Sequence, residues 1–297
     1  MRAATHFACA LVLLGCSRQD GNLPVGEDGP SVVEQERYLR RLHIDLAGTA
    51  PSDATLQAGV QRLASEGNLA ATRRTLAKEL MQLSSFAEVF VGELSNRALE
   101  GESVEARIDF ACAVFRVVQC NNECGEPPAG DPCASCNCDP IPQLVAERED
   151  LLKTTADFAQ GASSSSIERR YGRTSAFRFP LAPEGVAERL FEAFLGRPVE
   201  AEEQRNAAAM VFGSFIPNSP AGLLFHRHGA NYQELIDIVF TSEPYRDAAV
   251  DGVFLRYLGR RASPAELHHF SASLDAANPD VRGVIEAVVS SQEYFDQ

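Results

Sequence analysis

One helical pattern is written three times in this chain, and that repetition constrains the fold more than any other feature. Each copy has an apolar stripe ending in glycine, a turn into a second helix, and a third apolar stripe closed by an aromatic residue. The glycines are Gly48, Gly196 and Gly259; the closing aromatics are Phe86, Tyr245 and Tyr294. Ahead of the glycines stand Leu42, Leu46 and Ala47, then Leu190, Phe194 and Leu195, then Val253, Tyr257 and Leu258, in the same register each time. That spacing lays one stripe along a helix with a period of about 3.6 residues. A glycine after such a stripe ends the helix, because it enters the left-handed region without a Cβ clash. Arg197, Arg260 and Arg261 follow in two copies, close to the negative end of the helix dipole. Ser263, Pro264 and Glu266 carry the signature of a capping box at the start of a second helix.

The third stripe repeats most sharply. Val281, Val284, Ile285, Val288 and Val289 share their spacing with Tyr232, Leu235, Ile236, Val239 and Phe240, and in both copies the closing tyrosine lies 13 residues after the first of the five. The first copy keeps Leu76, Ala77, Leu80 and Met81 in register with Phe86 but opens on Arg73. The pattern predicts an all-α fold of three related small helical modules.

These motifs resemble known families. Leu258-Gly259-Arg260, followed by Ser263-Pro264-Ala265-Glu266 and Ser291-Gln292-Glu293-Tyr294, looks like the repeat of unknown function related to phycobilisome linker domains. Leu195-Gly196-Arg197 and Ser242-Glu243-Pro244-Tyr245 look like a second copy of it. His43-Ile44-Asp45-Leu46-Ala47-Gly48-Thr49-Ala50-Pro51 is similar to an uncharacterised domain of planctomycete and myxobacterial envelope proteins, which often accompanies cytochrome c-type segments. The resemblance covers residues 34–100 and 184–297, and it implies no catalytic residues. The first copy departs from the pattern, with Thr49 after the glycine and no Trp after Phe86.

Charge narrows the partners. A net charge of −14 argues against nucleic acid, whose phosphates need a basic face, and against docking on anionic lipid. Helix formers dominate, and long Val/Ile/Thr alternations are absent from the sequence.

The start of the chain reads as a targeting signal. Met1-Arg2 precedes an apolar run from Ala3 to Leu14 that is too short to span a bilayer. It ends in Leu13-Leu14-Gly15-Cys16, which resembles the lipobox of bacterial lipoproteins, where the cysteine takes a diacylglyceryl thioether. Lipidation of Cys16 implies a protein anchored in the cell envelope, with Ser17 pointing to the outer membrane. Gly21, Pro24, Gly26, Gly29 and Pro30 make residues 17–31 a flexible tether, spanning roughly 20 Å. The expected layout is a signal peptide at 1–15, the tether at 16–31, a module at 32–100, a Cys-rich helical hairpin at 101–160, a linker at 161–182, and modules at 183–247 and 248–297.

The hairpin breaks the repeat. A helix over about 103–119 carries Val104, Ile108, Cys112 and Phe115 on one face; a returning helix over about 142–160 carries Leu144, Leu151, Leu152, Thr155 and Phe158. With Cys9 in the signal and Cys16 as the lipid site, the remaining cysteines are Cys112, Cys120, Cys124, Cys133, Cys136 and Cys138. An even number in an oxidising compartment predicts disulfides, each contributing ~2–4 kcal/mol. Cys112, on a helix face, has the alternative of a buried free thiol. Another alternative is a metal shell of Cys120, Cys124, Cys133 and Cys136, or dithiol redox chemistry at Cys133 and Cys136, associated with electron transfer. Covalent haem is disfavoured because Asn137 follows Cys136 where that pattern needs histidine.

No H-E-x-x-H, G-x-S-x-G, phosphate loop or dinucleotide fingerprint occurs, so the reading assigns no catalytic residue, cofactor or metal. His226, His228, His268 and His269 are spaced against sharing a helix face and are expected in solvent or cap roles, as is the acidic run Glu200, Glu202 and Glu203. His43 is expected at the edge of the core. The insertion at 213–231, with Phe215, Ile216, Leu223, Leu224 and Phe225, is apolar, long and absent from the other copies. It is the candidate contact element, with folding back on its own core as the alternative. The expected function is non-enzymatic: a lipid-anchored envelope scaffold or binding module for unidentified envelope proteins, with the Cys-centred protein as the alternative.

Overall fold

The computed structural model describes residues 30–67, 69–119, 140–213 and 221–297. Cys16, the cysteines from Cys120 to Cys138, Phe215 and Ile216 lie outside the described residues.

The described chain is mostly helical. Its first stretch runs α1 (Val32–Ala47), α2 (Asp53–Glu66), α3 (Ala70–Met81) and α4 (Ser84–Ala98). Ser31 and Glu34 close a capping box on α1, the Glu34 carboxylate accepting the Ser31 N–H at 2.7 Å. Gly48 ends the helix at φ 70°, and Leu42 and Leu46 are fully buried beneath it. Phe86 packs in the core against Phe90 and Phe158.

The Cys-rich hairpin begins with α5 (Val104–Gln119), which packs on α6 (Pro140–Leu152). Val104, Ile108 and Cys112 are buried on the expected face. The returning helix breaks at Lys153 and restarts as α7 (Thr154–Ala159). That break rotates the register, so Leu152 is exposed while Leu151, Thr154 and Phe158 are buried.

The stretch expected as a linker is instead folded. It forms α8 (Ser164–Arg173) and α9 (Ser175–Arg178), and Ile167, Tyr171, Ala176 and Phe177 belong to the core. The serines that look like low complexity are consumed by hydrogen bonds. Ser163 caps α8 by accepting the Ser166 N–H, and Ser164 Oγ accepts the Val281 N–H at 3.1 Å and donates to the Pro279 carbonyl at 3.3 Å.

Next, α10 (Pro183–Leu190) continues as a π-helical turn over Phe191–Leu195 and stops at Gly196, φ 60°. Helix α11 (Ala201–Gly213) follows. A purely α fold needs one correction, because the insertion forms an antiparallel hairpin of β1 (Gly222–Leu224) and β2 (Arg227–Gly229). A Cβ on Gly222 would meet the Asn206 carbonyl oxygen at 2.2 Å, so only glycine lets the strand lie this close to α11. The last helices are α12 (Tyr232–Phe240), α13 (Glu243–Leu258), α14 (Pro264–Ser273), α15 (Arg282–Val289) and α16 (Gln292–Asp296). Gly259 ends α13 at φ 67°. Helix α13 runs unbroken across residues 247 and 248, so it carries both Tyr245, which closes the second copy, and the Val253–Leu258 stripe that opens the third.

The first copy packs on the third, α3 lying against α15 and α1 against α16. Tyr38 donates to the Val289 carbonyl at 3.3 Å and stacks edge-on against Tyr294. Arg73 is the residue that breaks the third-stripe pattern. It is buried and donates to the Ser290 carbonyl at 2.9 Å and to Gln292 at 3.1 Å. The irregular position is therefore the one that joins the two copies.

Candidate functional site

The closing tyrosines follow a rule that the site depends on. Ser242 and Ser291 cap their helices by accepting the N–H of Tyr245 and Tyr294. This fixes each ring at the first turn, where its hydroxyl reaches a carboxylate on another element. Tyr294 donates to Asp45 of α1 at 2.7 Å, and Tyr245 donates to Glu168 of α8 at 2.7 Å. Burial, with the facing carboxylate adding to it, pushes both hydroxyls far above the usual tyrosine value, so each stays a neutral donor.

Glu168 is buried, and its other oxygen accepts from Arg97 of α4 at 3.1 Å. This Tyr245–Glu168–Arg97 chain stands at one side of a cleft of about 310 Å³ that lies between α4, the π turn, α13 and α15. Phe90, Leu94, Phe194, Val253, Tyr257 and Ile285 give it apolar walls. All three copies contribute to it. The π turn matters here because it shifts the end of α10 by a fraction of a turn, and such bulges are frequent at functional sites.

Charged groups line the opening and are already aimed by partners. Arg256 pairs with Glu93, lies 5.0 Å over the Tyr257 ring, and donates to the Asp45 carbonyl at 3.2 Å. Asp251 pairs with Arg261 at 3.2 Å and accepts the Ala262 N–H at 3.0 Å. Tyr257 lines the cleft, and its buried hydroxyl has no hydrogen-bond partner among the described residues. Burial pushes that hydroxyl up to about 12, which keeps it protonated. The arrangement is an apolar slot with fixed charges of both signs around it, suited to holding a mixed apolar and polar surface.

The sequence-derived candidates fall elsewhere. Within the insertion, Leu224 is buried in the core and Phe225 packs 6.0 Å from Phe191, so both fold back on the chain's own core; Leu223 is exposed. His226 and His228 on the hairpin and His268 and His269 on α14 are exposed. Glu203 is not simply a solvated helix start: it takes both guanidinium nitrogens of Arg197, at 2.8 and 2.7 Å. Cys112 is fully buried on α5. Among the described residues, no three His, Cys, Asp or Glu side chains gather as metal ligands.

Arg97, Glu168, Arg256 and Tyr257 were not singled out as functional by the sequence. Arg97 and Glu168 are 71 residues apart, and no local pattern pairs them. Tyr257 was visible only as a stripe residue. No helix among the described residues is long and apolar enough to cross a membrane. Compared with protein families, curated proteins and solved structures, the chain finds no match.

Proposed function

We propose that this chain is a lipid-anchored protein of the bacterial cell envelope that binds another protein non-enzymatically, through the cleft where its three helical modules meet. The observation that carries the reading is the cleft itself: apolar walls drawn from all three copies, ringed by Arg97, Glu168, Arg256 and Asp251. Interface cores combine an apolar centre with aromatic and Arg anchors and a polar rim, and this slot has that make-up. The lipobox-like Leu13-Leu14-Gly15-Cys16 supplies the anchor, at the outer membrane, and residues 17–31 supply the reach. The three copies are read as one repeated module. The Cys-rich hairpin is read as a disulfide-stapled arm of the same body. Support for the staple comes from the six cysteines left after the signal and the lipid site, an even number in an oxidising compartment.

The test is site-specific photo-crosslinking in intact envelopes. Leu255 lines the cleft and is 46% exposed; Phe110, on α5, is 43% exposed and does not line it. A photoreactive residue at Leu255 is expected to give a discrete protein adduct that Arg97→Glu removes, while the same residue at Phe110 gives none. Equal labelling from both positions, or none from Leu255, overturns the reading. Cys16→Ser is expected to release the protein from the membrane fraction, and retention of that variant refutes the anchor.

A further inference from the structure

The three copies differ at one corner, and the difference is concerted. Five residues before the helix-ending glycine stand Phe191 and Phe254; one residue after it stand Arg197 and Arg260; seven after it stand Glu203 and Glu266. In both copies these three side chains form one stack. Arg197 lies 5.0 Å over the Phe191 ring and forks onto Glu203, while Arg260 lies 5.1 Å over the Phe254 ring and forks onto Glu266 at 2.9 and 2.8 Å. The Arg260 hydrogen bonds, with those from Ser263, hold the Glu266 carboxyl down at about 2. The stack clamps the first helix of a copy to its second.

In the first copy all three members are replaced at once, by His43, Thr49 and Thr55. His43 keeps a ring, but with Thr49 in place of the arginine and Thr55 in place of the carboxylate there is no charged pair to stack on it, so the clamp is not rebuilt. Between α1, α2 and α3 there is instead a cleft of about 320 Å³, lined by His43 and Thr55 among others. Leu39, Leu42, Leu76 and Leu80 wall it. Gly59 belongs to the wall, and a Cβ there would meet Leu39 at 2.8 Å. The charges at the rim cancel, since Arg62 forks onto Glu79 at 2.9 Å. His43 is half-buried and makes no hydrogen bond among the described residues; burial holds its imidazole below the usual value and hence neutral at pH 7.

We infer that this cleft is a second binding site, separate from the central one, which takes an uncharged aliphatic molecule of roughly eight to ten carbons carrying one hydrogen-bonding group for His43. The leucine walls select the chain, and the neutral imidazole and self-compensated rim select against a charged head. The inference stands independently of the proposed partner-binding function, because it uses another cleft.

The test is titration of the full folded protein with 1-octanol and with octanoate at pH 7.5, followed by NMR of the His43 imidazole. Octanol is expected to shift His43 saturably, and octanoate to bind at least tenfold more weakly. The triple variant H43F/T49R/T55E rebuilds the clamp of the other copies and is expected to lose binding, read from the leucine methyls. Ala58→Trp plugs the exposed mouth from α2 without altering the core, and is expected to weaken octanol at least tenfold if the triple variant does not fold. A His43 signal that octanol fails to saturate overturns the inference, as does equal binding by octanoate or by Ala58→Trp.

Discussion

Helix α12 packs against both α8 and the β-hairpin, and its two neighbours are held by different means. Helix α8 is fixed through polar groups with distant partners: Glu168 to Tyr245 and Arg97, Ser164 to the 279–281 turn, and the Gly172 carbonyl to the Tyr232 hydroxyl. The hairpin is fixed by Leu224 and Phe225 and by bare glycine backbone lying on α11. A segment rich in serine and arginine is thus central, and a segment rich in Leu and Phe leaves one strand face in solvent. Burial follows from whether every polar group finds a partner as much as from how many side chains are apolar.

Four substitutions break or sharpen this contrast, in descending order of effect. Tyr171→Ala opens a cavity beneath the last turn of α8, where the ring is fully buried, and is expected to cost about 3–5 kcal/mol in urea unfolding. Leu224→Ala removes the hairpin's buried anchor and should cost about 2–3 kcal/mol, since the flanking strand can relax into the gap. A larger loss for Leu224→Ala than for Tyr171→Ala would reverse the assignment of centre and periphery. Ser164→Ala orphans the Val281 N–H at the start of α15, for an expected loss of about 1–2 kcal/mol. An unchanged midpoint for that variant would mean the serine run is not a structural tie. His226→Gly acts on the hairpin turn, where Phe225 and His226 sit at φ 49° and 62°. Relief of left-handed strain at an exposed position is expected to raise stability by up to about 1 kcal/mol, and a loss would count against strain there.

The helix ends were legible in the chain because they are written locally. Gly48, Gly196 and Gly259 all take the left-handed conformation, and Ser263 and Glu266 make the capping box their spacing announces. The hairpin was not legible, because a two-residue turn ordinarily advertises itself with Asn-Gly or Asp-Gly, and here Phe225-His226 occupies it. Helix α8 is hard to read from the chain because four consecutive serines look like a solvated break, whereas the hydroxyls of Ser163, Ser164 and Ser165 are matched to Asn278, Pro279 and Val281 more than a hundred residues away. The central cleft suffers the same limit. Tyr245 and the cleft-lining Glu168 are 77 residues apart, and only the folded chain reveals that a closing tyrosine has a carboxylate opposite it. Arg73 was the informative exception: an arginine in an apolar stripe is a local oddity that turned out to mark a long-range joint.

The packing of α1 on α16 and of α3 on α15 has a consequence for how such a body can change in size. Helical arrays that stack end to end lengthen freely, because each new unit repeats the previous contact and only the outermost units need polar lids. Here the outer faces of the first and last copies are occupied by each other, through Tyr38, Arg73, Asp45 and Tyr294. A fourth copy inserted in tandem would have to prise that seam apart. Lengthening this body by repeating its stripes would therefore break existing contacts, whereas the hairpin between α11 and α12 packs on those two helices and leaves the seam between α1, α3, α15 and α16 closed.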